Sequence, residues 1–350
     1  MSVALTYNVK PESPAFVQSL SSNLNESQQQ VNLYDDRFAE WDTWETISAV
    51  EQALSTQHNV MMIEADHNAF EYFKNNKPDI VFNIAEGFAG ISREAQIPAM
   101  LDMLMIPYTG SDPLTLATCL DKARTKEILS YYKIPTAKFF QVSSPDEIEN
   151  DSYSFPMVVK PVGEGSGKGI FSSSLVENEE ALRKEAGRVI DEYKQPALVE
   201  EFLPGREFTV AMLGNGSATR VLPIIEITYD DFPEGFIPLY SYEAKWILDS
   251  KENQLDIYQC PARIGDSMKN SIEEICLKTY KVLRCKDWSR IDLRLDKYGV
   301  PNIIEINPLP GILPDPKENS CFPKAARSAG MNYNEMLLSV LQVARERYDI

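Results

Sequence analysis

The stretch from Trp288 to Gly311, WSRIDLRLDKYGVPNIIEINPLPG, constrains this chain more than any other. From Ser289 to Leu295, apolar Ile291, Leu293 and Leu295 alternate with Arg290, Asp292 and Arg294. From Asn302 to Asn307, Ile304 and Ile306 alternate with Glu305 and Asn307. Period-two alternation gives a strand one apolar and one polar face. Tyr298-Gly299 supplies turn residues between the two segments, so a hairpin is expected. Pairing would gather Arg290, Asp292, Glu305 and Asn307 on one face. Two carboxylates and a carboxamide make an oxygen-only cation site of the kind magnesium prefers. Arg290 would then meet an anion held by that cation. The same residues also suit the solvated face of an edge hairpin, because charge clusters are often structural. The sequel Asn307-Pro308-Leu309-Pro310-Gly311 favours a site, since a strand that stops in a rigid Pro/Gly loop usually does so for function.

A chain of 350 residues is long enough for two or three domains. Its hydrophobic share of 43% and charged share of 25% are those of a globular protein. The net charge of -18 argues against nucleic acid or an anionic membrane surface as partner, while leaving room for a nucleotide held by local lysines and arginines. Cys119, Cys260, Cys276, Cys285 and Cys321 show no CxxC spacing, which fits reduced thiols in a cytoplasm. With only His58 and His67, imidazole metal sites and histidine triads are not expected. MSVALTYNVK has no basic region followed by an apolar core, and no apolar run nears the roughly 20 residues of a membrane span.

Taken in order, Val3–Tyr7 reads as a buried strand, and a long polar loop runs from Asn8 to about Trp44 through Gln28-Gln29-Gln30 and the acids Asp35, Asp36, Glu40 and Asp42. Helical periodicity follows at Thr46–Ser55, a strand at Val60–Ile63, a helix at Ala69–Asn75, a doubly buried strand at Asp79–Ile84 and a helix at Arg93–Leu104. This alternation is an α/β domain with a mostly parallel sheet. Ligands of such sheets bind beyond the carboxyl ends of the strands, here at Tyr7-Asn8 and Asn83–Gly87. After a crossover at Ile106–Ser111, one helix from Pro113 carries Lys122 and Lys126, residues that ordinarily occupy a solvated face. A second region adds strands at Pro156–Lys160, Ile170–Ser174 and Ala197–Glu201 and a helix at Asn178–Tyr193. The last adds a strand at Val221–Thr228, an irregular loop to about Leu248, a helix at Ser267–Val282, the hairpin and a terminal helix at Met331–Arg347.

Val162-Gly163-Glu164-Gly165-Ser166-Gly167-Lys168-Gly169 is rich enough in glycine to expose backbone N–H groups to phosphate oxygens. It is no Walker A loop, because Gly169 rather than Ser or Thr follows Lys168, and its spacing is not the dinucleotide pattern. Lys160, at the end of an apolar strand, needs an anionic partner, and a phosphate at the loop would be one. Leu198-Val199-Glu200-Glu201-Phe202-Leu203 suits a base held between apolar side chains, with a carboxylate within reach of a ribose hydroxyl.

Seven segments in order, IPYTGSDPLTLATCLDKARTK, FPMVVKPVGEGSGKGI, LVEEFLPGREFTV, YSYEAKW, SRIDLRLD, EINPLPG and FPKAARSAGM, resemble ATP-grasp carboxylate–amine ligases, most of all D-alanine–D-alanine ligases, over residues 79 to 345. Each is weak alone; seven in the family's order are specific. The resemblance implies an α/β (α+β) ATP-grasp fold with an N-terminal Rossmann-like parallel-sheet domain at 1–108, a central subdomain with the glycine-rich loop at 109–201 and a C-terminal subdomain with the metal site at 202–350. It implies that Lys122 and Lys160 bind ATP phosphates, that Glu200, Glu201, Phe202 and Leu203 meet adenine, and that Glu207 meets the ribose. Ser166 would sit in the loop over the phosphates, and Lys245 in a lid. Asp292, Glu305 and Asn307 would hold two magnesium ions, with manganese as a substitute, and Arg290 would face the transferred phosphoryl group. Gly311 would offer an N–H to a tetrahedral intermediate, and Asn319 and Ser320 would grip a substrate carboxylate; Glu86, at the strand edge, is a further substrate candidate.

The implied reaction joins an amino acid or related carboxylate to an amine through an acyl phosphate, in a cytoplasmic enzyme without nucleic-acid or membrane partners, and dimers are common among similar enzymes. A phosphotransferase of the same fold and a non-catalytic nucleotide-binding protein are the alternatives. Departures from the family cluster on the amino-acid side. The GGxSxExxVS segment is replaced by Tyr7-Asn8-Val9-Lys10-Pro11, with Glu40 or Asp42 as candidate substitutes for its glutamate. A histidine-glycine is replaced by Asn83–Gly87, the lid tyrosine by Trp246, and the segment after Gly311 is lengthened.

Overall fold

Val3, Ala4, Leu5, Ile80, Val81 and Phe82 are all fully buried, and a strand apolar on both faces needs cover on both. The computed structural model describes residues 1–11, 38–149, 153–232, 238–239, 241–242, 244–245 and 255–350. Most of the polar loop expected after Asn8, including Gln28–Gln30, Asp35 and Asp36, lies outside the described residues, as do Trp246 and most of the loop expected to end near Leu248. The first region runs β1 (Ser2–Tyr7), α1 (Trp44–Ser55), β2 (Asn59–Glu64), α2 (Ala69–Asn76), β3 (Ile80–Asn83) and α3 (Gln96–Leu104). The sheet is parallel, in the order β2-β1-β3, with Val3 opposite both Val60 and Ile80. Residues 93–95, expected to open the α-helix, form a 3-10 turn ahead of it. At the carboxyl edge the Asn8 carboxamide accepts from the Gly87 N–H at 2.8 Å, which joins the two loops expected to meet there.

The helix expected from Pro113 is two helices, α4 (Pro113–Leu120) and α5 (Lys122–Tyr131). Asp121 leaves helical geometry between them and accepts from the Arg124 N–H at 2.9 Å, so a second N-cap starts where one helix was expected to continue. The next region holds β4 (Phe139–Val142), β5 (Met157–Pro161), β6 (Leu175–Val176), α6 (Glu179–Tyr193) and β7 (Ala197–Glu201). Its sheet is antiparallel, ordered β4-β7-β5-β6, around a separate apolar core that includes Val159, Leu182, Val189 and Val199. The strand expected at 170–174 is displaced. Ser172–Ser174 is a 3-10 turn, because the Ser174 hydroxyl accepts from the Phe171 N–H at 3.1 Å and donates to Glu185 at 3.0 Å.

The last region adds β8 (Glu207–Leu213), β9 (Arg220–Val221), β10 (Ile225–Ile227), β11 (Tyr258–Gln259), α7 (Asp266–Val282), β12 (Trp288–Leu295), β13 (Pro301–Asn307), α8 (Cys321–Ser328) and α9 (Tyr333–Tyr348). The antiparallel order is β11-β10-β8-β12-β13, with β9 on β8. The strand expected at 221–228 is broken into β9 and β10 around Pro223, which has no N–H for a ladder. α9 begins at Tyr333 rather than Met331, because Asn332 and Glu335 form a capping box. The hairpin forms as expected, with one change. Asp292 pairs with Glu305 but Leu293 pairs with Ile303, which leaves Ile304 as an extra residue. This bulge breaks the expected alternation. Ile303 and Ile306 enter the core, while Ile304 and Glu305 both face the opposite side.

Trp288 ties the first and last regions together. It is fully buried, with ring centroids 5.7 Å from Phe82 of β3 and 5.4 Å from Phe322 of α8. Beside it, buried Asp287 accepts from the Gly110 N–H at 2.8 Å and from Arg347 of α9 at 2.8 Å. Among the described residues no helix is long and apolar enough to cross a membrane. Trp288→Ala should lower stability by about 3–5 kcal/mol, read as a fall in the denaturant midpoint, because it empties the shared core. Trp288→Phe should cost clearly less.

Candidate active site

Strands β5 and β7, the glycine-rich loop and α5 face β8, β12 and β13 across a deep cleft. Its apolar walls come from Ala137, Val158, Leu203, Ile227 and Ile304. Of these only Leu203 was singled out by sequence; the bulge delivers Ile304. The charged end is lined by Lys122, Lys160, Lys245, Arg290, Asp292 and Glu305, so six residues predicted from separate segments meet here.

The hairpin face is a tight charge cluster. Arg290 Nη2 lies 2.9 Å from Asp292 Oδ2 and 3.4 Å from Glu305 Oε1. The Thr209 hydroxyl on β8 donates to Asp292 Oδ1 at 2.6 Å, and Lys122 Nζ lies 3.5 Å from Glu305 Oε2. Burial pushes the Asp292 carboxyl up from its ordinary value, and Arg290 offsets only part of that. Burial would raise Glu305 as well, but Lys122, Arg290 and Lys160 hold it down at about 2. Asn307 stands opposite Arg290 in the register, and its carboxamide oxygen accepts from the Leu309 N–H at 3.2 Å, which shapes the turn into the Pro/Gly loop.

The glycine-rich loop lies over this cluster. Lys122 donates to the Glu164 carbonyl, and its own N–H donates to the Val162 carbonyl at 3.0 Å. Ser166 has a positive φ of 52°, and its hydroxyl lies 3.3 Å from Lys245 Nζ. Burial, and then Arg290, lower Lys245 to about 8. Gly165 lies so close to Glu40 that a Cβ there would come within 2.4 Å of the carboxylate, which accepts the Gly165 N–H at 2.9 Å. Arg93 holds both oxygens of Glu40 at 2.8 and 2.7 Å and donates to the Gly163 carbonyl at 2.8 Å. Neither residue's link to the loop was visible in sequence, because both cross from the first region. Sequence singles out Glu40 only as a candidate substitute for the family's substrate glutamate, and its carboxylate is instead held by Arg93 and Gly165.

Two lysine readings change. Lys126, expected on a solvated face, is fully buried, because Glu200 and Thr136 compensate its charge from inside. Lys160 has a protein partner, with Glu200 Oε1 at 2.5 Å. Glu200, Glu201, Phe202 and Leu203 all line the cleft, and the Arg294 guanidinium covers the Phe202 ring at 4.8 Å. Glu207 also lines it, with Oε2 held by the Tyr229 hydroxyl at 2.7 Å and Arg294 at 3.2 Å.

At the other end, Gly311, Asn319 and Ser320 line the cleft with Lys10, Trp41 and Asp42. The Ser320 hydroxyl spans its loop, donating to the Gly311 carbonyl and accepting from the Leu313 N–H, each at 3.1 Å. Asn319 donates to the Leu255 carbonyl at 2.7 Å. Glu86 is not on the cleft wall. Its carboxylate clusters with those of Glu40 and Glu94, within 4.8 Å of one another, because Gly87 is tied back to Asn8. Burial raises Glu86 well above an ordinary carboxyl, raises Glu94 to about 7, and raises Asp42 to about 7.

The family model described as D-ala D-ala ligase C-terminus matches residues 128–342. A D-alanine–D-alanine ligase of Pelotomaculum thermopropionicum is 31% identical over 87% of this chain and 92% of its own length. One from Bordetella avium is 34% identical over 71% and 73% respectively. An uncharacterised protein of Sinorhizobium fredii is 33% identical over 83% of this chain and 84% of its own. The solved D-alanine–D-alanine ligase of Bacillus anthracis shares the fold along 100% of this chain and 99% of its own, with a TM-score of 0.72 at 22% identity.

Between pH 4 and 7 the folded protein keeps protons on Asp42 and Glu94 that the unfolded chain releases near pH 4. The stability from these two groups is therefore fully present below pH 4 and lost as pH rises through about 7. Asp42→Asn and Glu94→Gln should each flatten the fall in melting temperature across that window, measured by thermal unfolding in a pH series.

Proposed function

The chain belongs to the D-alanine–D-alanine ligase family, and from that premise we propose how its cleft performs an ATP-dependent ligation. It is an ATP-dependent carboxylate–amine ligase of the D-alanine–D-alanine ligase type, and it forms a peptide bond with release of ADP and phosphate. ATP lies between the central and last sheets, with its base between Val158, Leu203, Ile227 and Ile304 and its ribose toward Glu207. Lys122, Lys160 and the N–H groups of the glycine-rich loop hold the phosphates. We divide the chain into units at 1–108, 109–201 and 202–350, a reading that the three separate sheets support; the second and third form most of the cleft, and the first adds Lys10 and residues 39–43.

The observation that carries this reading is the meeting of Arg290, Asp292 and Glu305 with Lys122 and Lys160 across one cleft. Asp292 and Glu305 are an oxygen-only pair in direct cross-strand register, both lining the cleft, so the donor set fits magnesium. Together with Asn307 they would hold two ions, with manganese as a substitute. When bound, magnesium neutralises charge on the phosphoryl oxygens. A substrate carboxylate oxygen attacks the γ-phosphorus, the bond to ADP breaks, and an acyl phosphate forms. Arg290 stabilises the charge on the transferred group. The amine then attacks the activated carbonyl, loses its proton and expels phosphate. The Gly311 N–H faces the oxygen that becomes negative, and Ser320 and Asn319 orient the loop that receives the substrate carboxylate. The protein supplies position and charge rather than a covalent nucleophile.

The substrates are small amino acids or related carboxylates and amines. Lys10, Glu40, Trp41 and Asp42 line the cleft in place of the family's N-terminal substrate segment, so the choice of amino-acid pair is made there, with D-alanine among the candidates. The enzyme acts in the cytoplasm as a homodimer. An ADP-release screen of amino acid and hydroxy acid pairs, with mass spectrometry of products, tests this. One pair should give a coupled product and ADP that requires both partners. ADP from a single acceptor with no phosphate release would favour a phosphotransferase instead. Asp292→Asn should cut turnover by about a hundredfold or more while leaving the fold intact.

A further inference from the structure

Lys126 is the largest charged side chain sealed inside the protein among the described residues, with 0% exposure, and it is not on the cleft wall. A buried ammonium requires compensation. Its Nζ donates to the Thr136 hydroxyl at 2.6 Å and lies 3.0 Å from Glu200 Oε2, while the Phe139 ring sits 5.7 Å away. Thr136 passes the contact on, donating to the Ile303 carbonyl of β13 at 2.7 Å. The other oxygen of Glu200 belongs to Lys160, which does face the cleft. Burial alone would raise the Glu200 carboxyl; Lys126 first, and Lys160 next, pull it below the ordinary range, so the carboxylate is charged.

The charge count gives this arrangement its meaning. One carboxylate lies between two ammonium groups, a net charge of +1. With Lys160 alone, Glu200 would cancel it, and Lys160 would bring no net charge to an anion in the cleft. We propose that Lys126 is a positioning residue: it neutralises Glu200 from behind, so the charge of Lys160 is left for the phosphates of a bound nucleotide. Glu200 thereby stays ionised beside Lys160 without consuming its charge. The inference rests on the ATP reading above and adds a residue to it that never touches the ligand.

Calorimetric titration of the full-length chain with ATP and, separately, with adenosine tests this, because only ATP carries the phosphates. Lys126→Met should weaken ATP by roughly ten- to a hundredfold, the scale of one hydrogen bond to a charged group, while adenosine stays within about twofold. The double variant Lys126→Met/Glu200→Gln should recover the wild-type ratio of ATP to adenosine affinity, since removing the carboxylate frees Lys160 again. Equal weakening of both ligands, or no recovery in the double variant, overturns the proposal. If Lys126→Met does not fold, Glu200→Gln alone answers the question: its ATP-to-adenosine ratio should equal or exceed that of wild type, and a fall overturns the proposal. Wild-type protein that bound no ATP would overturn the nucleotide reading beneath it and this proposal together. ATP binding that is unchanged in Lys126→Met would overturn this proposal alone.

Discussion

Arg290, Asp292 and Glu305 meet because β12 and β13 pair in register from Arg290–Asn307 to Asp292–Glu305, and a bulge at Ile304 follows at once. Without Ile304 as the extra residue, the ladder would hold strict alternation on both sides of Asp292. With it, Glu305 keeps its place opposite Asp292, and an apolar side chain is added to the same face. The charged end of the cleft is thus set by the register of the hairpin, and the apolar side chain beside it by the bulge that follows. β12 is locked between β8 and β13, so the cluster rests on a backbone ladder on either side.

The rest of the cleft follows from the cost of burying charge. A chain with net charge -18 places cations where the cleft is deepest and pairs nearly all of them with carboxylates from other segments. Arg290 pairs with Asp292 on its own strand, while Lys122 with Glu305 and Lys160 with Glu200 join residues far apart in sequence. Glu40 and Arg93 reach the glycine-rich loop from the first region, and Lys122 reaches Glu305 on β13. Such pairs contribute little as isolated surface contacts, yet breaking one inside the cleft strands its partner. The network therefore acts mainly on geometry. It fixes where each charged group points, as the Thr209 hydroxyl does for the Asp292 carboxylate.

Features that repeat along the chain were readable from sequence: the period of the hairpin, the doubly buried β1 and β3, the helix at α6, and glycines where backbone must approach a ligand. The family resemblance rested on the same local segments. What sequence could not supply was contact at long range. Lys126 looks like a surface lysine because its partners, Glu200 and Thr136, stand outside its helix. Glu40 sits in a polar loop whose composition gives no hint of Arg93. The bulge was invisible because NIIEI offers two apolar residues in succession, and only packing decides which of them turns inward. Asp121 and the serines at 172–174 were local signals that apolar periodicity outweighed in the reading, although both are residues whose side chains compete for backbone groups.

Trp288, between Phe82 and Phe322, has a mechanical consequence. The first and last regions share one apolar core and are fastened again where Asp287 holds Arg347 and Gly110. The central sheet keeps a core of its own and meets its surroundings through a small apolar trio, Ala123, Val162 and Leu198, together with ion pairs and the Thr136–Ile303 bridge. Two walls of the cleft are therefore a single rigid jaw, and the third is hung on a narrow seam. Separating the first and last regions would expose the indole and its neighbours to water, so of the contacts around the cleft the seam of the central sheet is the one that buries least apolar surface.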